Sequence, residues 1–285
     1  MRTRFDGKSI SGTVPAPGGE RGILLGDGAF ETILSLNGTP VWLAAHLDRL
    51  EAALSTLGMP VGRKHMEDEV RAVTGREPGV VRLSVLRGGS GRGLAGAGPE
   101  VPPAVLASFA PLPRGVFREP VRMAVSSVRR NEGSPSSRMK TLSYADNILA
   151  SREAAAKGAD EALMLNNAGR VASASIGNIF IVRGARLITP PGTEGVLGGI
   201  TRRRVLEMAS GLGLEAAEAP LSVGDLVSAD AVFMTNSLRL ASPVTELDGT
   251  ALKCTDAAYR VFSRLCADIV SETGLDPRET LPRGQ

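Results

Sequence analysis

The sequence predicts a two-domain α/β (α+β) chain, and three observations carry that expectation. Strand-like and helix-like periodicities alternate along its length, and 285 residues are enough to bury two cores. The segment Pro111–Pro120, PLPRGVFREP, breaks both periodicities, which places a junction there and divides the chain into domains 1–115 and 116–285. A composition of 42% hydrophobic and 22% charged residues is an ordinary globular balance. Lys+Arg 33 against Asp+Glu 30 gives a formal +3, with the arginines scattered, which argues against a nucleic-acid partner. No apolar run approaches the roughly 18 residues of a membrane span and no leader-like run opens the chain, so a soluble cytoplasmic protein is expected. Cys254 and Cys266 lie too far apart along one helical pattern to bridge each other.

Taken in order, Asp6-Gly7 can close a hairpin. Gly22 to Ser35 leads into the alternation Phe30, Thr32, Leu34, and Asn37-Gly38 turns the chain toward Val41, which reads as an edge hairpin. Residues 43–57 put Leu43, Leu47, Leu50, Leu54 and Leu57 on one helical stripe, with Arg49 off it and His46 at its border. A weaker helix over Glu67–Val73 and a strand over Val80–Leu86 follow, the strand running into RGGSGRGLAGAG. Beyond the junction, Val121–Val128 is strand-like, and a polar loop delivers Lys140 to the threshold of an amphipathic helix that stops at Gly158. Strands over Glu161–Leu165 and Val171–Val182 flank an Asn166–Gly169 turn, and Gly198-Gly199 precede a helix from Ile200 to about Leu212. A buried strand over Ala231–Met234 ends in Thr235-Asn236-Ser237, and a last helix spans about Asp256–Glu272.

Chemistry concentrates at few places. The chain has only five lysines, and unlike arginine a lysine in a low-dielectric site can lose its proton and attack a carbonyl. Lys140 is read as that reactive amine. Glycines ahead of a helix start, as at Gly198-Gly199-Ile200-Thr201, suit an anion or simply a tight loop, and Thr235-Asn236-Ser237 could add donors or simply turn the chain. Arg87 and Arg92 bracket a glycine-rich loop able to present a guanidinium to a carboxylate. Neither GxxxxGK[ST] nor a helix-opening GxGxxG occurs. With His46 and His65 the only histidines, neither a metal-ligand spacing nor a His-centred triad is present.

Assembled in order, GDGAFET at 26–32, HLDRL at 46–50, RGGSGRG at 87–93, KTLSYADNILA at 140–150, EALMLNNAGRV at 161–171, GNIF at 177–180, GVLGGITR at 195–202 and TNSLRLASPV at 235–244 resemble the class-IV pyridoxal-phosphate aminotransferase family. That family holds branched-chain aminotransferases, D-amino-acid transaminases and 4-amino-4-deoxychorismate lyases. The resemblance implies a smaller N-terminal α/β domain, a larger C-terminal domain carrying the cofactor lysine, and a homodimer. It implies that Lys140 holds pyridoxal phosphate as a Schiff base and moves protons. Arg49, the backbone amides of Ile200 and Thr201, and Asn236 with Ser237 would bind the phosphate, and Tyr144 would contact the ring. Phe30, Arg87 and Arg92 are the substrate-side candidates, Arg92 matching the arginine that takes the substrate carboxylate in D-amino-acid enzymes.

One position departs from the pattern. Four residues beyond Gly169 the family keeps a glutamate against the pyridine nitrogen, and this chain has Ser173. A hydroxyl bonds the nitrogen but brings no negative charge to hold a proton there, so a weaker electron sink is expected. That disfavours transamination more than elimination, and RGGSGRGL resembles the lyase-type loop except for Leu94 in place of tyrosine. The expectation is an aminotransferase acting on an amino acid or amine, with aminodeoxychorismate lyase as the alternative. A ligand-binding homologue with impaired catalysis is a third reading, favoured by Ser173 and Leu94 and opposed by Lys140, Arg49 and the GGIT segment.

Overall fold

The computed structural model describes residues 2–11, 19–89, 93–94, 101–113, 116–117 and 119–280. They group into two compact units: Met1–Pro113 with Met139–Ser143 and Ser271–Leu275, and Arg114–Arg138 with Tyr144–Val270 and Asp276–Gln285.

The first unit contains β1 (Arg2–Phe5), β2 (Lys8–Ile10), a short α1 (Arg21–Leu24), β3 (Gly28–Leu36), β4 (Thr39–Pro40), α2 (Leu43–Thr56), α3 (Arg63–Val73), β5 (Gly79–Leu86) and β6 (Ala104–Pro111). Its strands form one sheet in the order β2-β1-β6-β5-β3-β4, antiparallel at every step among the described residues. Both hairpin turns expected from sequence form: Asp6 and Gly7 (φ 44 and 81) and Asn37 and Gly38 (φ 50 and 77) take left-handed conformations, which match the twist of the flanking strands. β3 is longer than its alternation suggested. It lies between β5 and β4, with Ala29 and Ile33 buried on one face and Phe30 and Leu34 on the other, so it is an interior strand. β6 escaped the sequence reading because prolines on both sides punctuate its apolar run. Leu47, Leu50 and Leu54 of α2 and Met66 and Val70 of α3 pack with Ala29, Ile33, Val81, Leu83 and Phe109 of the sheet.

The second unit contains β7 (Val121–Val125), α4 (Ala145–Ala156), β8 (Glu161–Leu165), β9 (Val171–Ala174), β10 (Asn178–Arg183), β11 (Arg186–Thr189), α5 (Ile200–Met208), β12 (Glu215–Glu218), α6 (Val223–Ser228), β13 (Ala231–Asn236), β14 (Leu240–Leu247), β15 (Thr250–Ala251) and most of α7 (Ala257–Thr273). The sheet runs β12-β11-β10-β13-β14-β7-β8-β9, with β15 on β14. β7 and β8 pair in parallel, as a crossover through a helix requires. That helix, α4, presses Ala150 and Ala154 against Ala124, Ala162 and Met164, and these small side chains let it lie close to the sheet. Ile148 and Leu149 of this helix are exposed.

The Lys140 segment departs further from expectation. It groups with the first unit rather than with the C-terminal domain, because Thr141 bridges Ala29. The Phe30 amide donates to the Lys140 carbonyl at 2.9 Å and the Leu142 amide to the Gly28 carbonyl at 2.9 Å. Lys140 therefore lies in extended chain beside β3, and α4 starts only at Ala145. No helix among the described residues is long and apolar enough to cross a membrane.

Candidate active site

Within the first unit, Lys140 lies opposite Phe30, and cross-strand neighbours share a face. The Lys140 ammonium sits 4.4 Å from the centroid of the buried Phe30 ring, and the Arg82 guanidinium carbon approaches the same ring at 3.7 Å. An aromatic ring attracts both cations through its quadrupole.

Glu31, the next residue, points to the opposite face of β3 and meets α2. Its carboxylate accepts from His46 Nδ1 at 2.7 Å, Arg49 Nε at 2.8 Å and Arg49 Nη2 at 2.6 Å. His46 and Arg49 stand three apart on the helix, so one face presents both. Burial raises the Glu31 carboxyl, but Arg49 and His46 outweigh it and hold the group at about 2. Burial pushes His46 below its ordinary value despite Glu31, and the nearby Arg49 and Lys140 charges push the same way. A neutral imidazole that donates from Nδ1 leaves Nε2 as an acceptor, and that atom is buried with no partner among the described residues. Glu31 and His46 were not among the residues nominated from sequence. The available signal was a lone carboxylate in an apolar strand.

Arg87 has an occupation different from the one expected. Its Nε and Nη2 bind Asp27 at 3.0 and 3.1 Å, and its remaining donors reach the Gly58 and Leu57 carbonyls. Asp27 also accepts from Arg21 Nε at 3.2 Å, while Arg21 grips the Gly93 and Leu94 carbonyls at 2.6 and 2.9 Å. Burial raises Asp27, yet the two guanidiniums keep it below the usual carboxylate range. Arg87 thus ties loops together instead of presenting an open guanidinium, because three partners far away in sequence, Asp27, Leu57 and Gly58, consume its donors. Arg92, the other arginine nominated from this loop, lies outside the described residues.

In the second unit, no side chain caps the N-terminus of α5. Gly199 stands there for space: a Cβ would meet Asn178 Oδ1 at 2.0 Å, and Asn178 Nδ2 in turn donates to the Leu197 carbonyl at 2.9 Å. Thr201 Oγ1 in the first turn of α5 and Thr235 Oγ1 on β13 are buried hydroxyls without a hydrogen-bond partner among the described residues. An uncapped helix N-terminus with such hydroxyls fits a phosphate group, which supplies the missing acceptors. Thr235 belonged to the donor set read from sequence but was not nominated for the cup. Asn236, which was, spends its Oδ1 on the Leu238 and Arg239 amides at 3.0 and 2.7 Å and so shapes the following turn. Ser237 lies partly exposed within it, and Tyr144 occupies the N-cap position of α4 without a capping bond.

Ser173 is buried on β9 opposite Met164. The carboxylate that the β8–β9 hairpin carries, Glu161, serves Ser175 instead: it accepts from the Ser175 hydroxyl, from the Ser175 amide at 3.2 Å and from the Ala162 amide at 2.9 Å. Burial raises the Glu161 carboxyl above its ordinary 4.5. The protonated form therefore favours folding, a stability present below 4.5 that is lost as pH rises through the folded value. Glu161→Gln keeps an acceptor oxygen and removes the charge. It is expected to melt higher than the wild type at about pH 8, with the gain shrinking toward about pH 4. An equal difference at both pH values in thermal denaturation would refute this.

The family model for amino-transferase class IV matches residues 28–247. A branched-chain-amino-acid aminotransferase of Pseudomonas aeruginosa is 31% identical over 79% of this chain and 77% of its own. An aminodeoxychorismate lyase of Bacillus subtilis is 30% identical over 90% and 91%. Among solved structures, the branched-chain aminotransferase of Thermoproteus uzoniensis with norvaline superposes with a TM-score of 0.87 at 27% identity, covering 95% of each chain.

Proposed function

The chain belongs to the amino-transferase class IV family, enzymes that work with pyridoxal phosphate, and from that premise we propose an aminotransferase acting on an amino acid or amine at Lys140. The observation that carries this reading is the setting of Lys140. Backbone bonds from Phe30 and to Gly28 anchor its extended segment beside β3, and its amine lies over Phe30, which gives it a defined direction. Bound pyridoxal phosphate supplies an electron sink for a carbanion at the substrate carbon. Lys140 carries the cofactor and moves the proton at that carbon, while Phe30 limits where its amine can go. Arg49 binds the phosphate, as do the amides of Ile200 and Thr201 and the hydroxyls of Thr201 and Thr235. Ser237 contributes a further donor, and Asn236 holds the turn that presents it. Tyr144 contacts the cofactor ring. Arg92 is assigned to the substrate carboxylate from its sequence position alone, and the assembly is taken to be a cytoplasmic homodimer.

A second reading, aminodeoxychorismate lyase, is favoured by Ser173 and is in keeping with the Bacillus subtilis relative. Ser173 offers the ring nitrogen a hydrogen bond without a charge, which weakens proton retention there and burdens transamination more than elimination. Purified protein with cofactor should show an absorption band at the visible edge that borohydride removes. Its absence after added cofactor sinks both readings. Single-turnover assays over D- and L-amino acids and aminodeoxychorismate then separate them. Ser173→Glu is expected to raise oxo-acid formation about tenfold, the equivalent of one carboxylate contact. A flat rate with cofactor still bound would remove Ser173 from the explanation.

A further inference from the structure

We propose that Glu31 is a positioning residue that aims Arg49 at the cofactor phosphate, with His46 as its support. The inference rests on the reading of Arg49 as a phosphate ligand and adds the device that makes that ligand effective. Glu31 is fully buried in a strand whose neighbours on the same face, Ala29 and Ile33, belong to the apolar core. Burying an ionised carboxylate with a guanidinium and an imidazole is seldom better for stability than apolar side chains of the same size. A charged group at such a position therefore calls for a role outside packing.

The geometry supplies one. Arg49 is a long, many-rotamer side chain only partly withdrawn from solvent, and Glu31 grips its Nε/Nη2 edge with two short bonds. A bidentate grip fixes the plane of the guanidinium, so little ordering is left to do when an anion arrives. His46 Nδ1 binds the same Oε2 that receives Arg49 Nη2, which stops the carboxylate from rotating away. The spacing HLDR at 46–49 puts both partners on one face of α2, and GDGAFET brings the carboxylate to them from β3.

The test is equilibrium binding of pyridoxal phosphate and, separately, of pyridoxal, which lacks the phosphate, to the full-length protein. Glu31→Gln should raise the Kd for pyridoxal phosphate about tenfold and leave that for pyridoxal within about twofold. Adding Glu31→Gln to Arg49→Met should cost nothing more than Arg49→Met alone. Equal weakening of both ligands, or of neither, overturns the positioning role. Arg49→Met separates the two levels: if it leaves the ratio of the two Kd values unchanged, the phosphate reading of Arg49 itself fails. If it changes the ratio while Glu31→Gln does not, only the present inference fails. Should Glu31→Gln lose the wild-type circular-dichroism spectrum, His46→Leu decides. A selective loss of about threefold for pyridoxal phosphate supports the proposal, and no selective loss overturns it.

Discussion

Lys140→Arg is expected to lower turnover by about 10²–10⁴-fold, the usual contribution of a positioned proton-transfer group. Arginine preserves the positive charge and can still stack on Phe30, so the strand beside β3 should keep its place. What it lacks is a deprotonatable amine, since the guanidinium stays charged at any working pH. The variant therefore separates charge from chemistry. Its melting temperature should stay close to wild type while the borohydride-sensitive absorption disappears and single-turnover product formation slows by the same factor. Lys140→Arg with substantial activity would exclude this lysine as the reacting amine.

Gly28→Ala should be nearly as damaging for a purely steric reason. A Cβ at Gly28 would lie 2.3 Å from the Val85 carbonyl oxygen and 2.6 Å from Leu142 Cδ1. The first is sheet backbone and cannot rotate away, so β3 must shift from β5 or from the segment containing Lys140. Overpacking of this kind costs about 1–3 kcal/mol. The Gly28 carbonyl also accepts from the Leu142 amide, so the shift should misplace Lys140 as well. A lower denaturation midpoint together with slower capture of cofactor by borohydride is the expected pair of results. Unchanged values of both would mean that β3 and the Lys140 segment are not coupled as tightly as their bonds indicate.

The candidate residues leave local signals in the amino-acid sequence. The short list of lysines draws attention to Lys140, the resemblance of HLDRL to the family nominates Arg49, and GGIT suits an anion or a tight loop, because each signal lies within a few consecutive residues. Arg87 misleads for the complementary reason. A guanidinium after a glycine-rich loop looks available until Asp27, 60 residues away, is seen to hold it. Glu31 escapes notice because the alternation of Phe30, Thr32 and Leu34 draws attention to one face of β3, whereas its role depends on the other.

The sequence by itself determined the longer helices, several strands, both N-terminal hairpin turns and the residue types able to do chemistry, since periodicity, turn propensity and side-chain acidity are local properties, whereas strands such as β6 escaped it. Tertiary structure alone decided that Lys140 lies in extended chain beside β3 rather than opening α4. It also decided that Ile148 and Leu149 face outward, that Glu31 unites His46 with Arg49, and that Thr201 and Thr235 bury hydroxyls lacking a partner among the described residues. Those outcomes depend on the register and approach of segments distant along the chain. Long-range packing and the satisfaction of buried polar groups select them, and no local pattern encodes either.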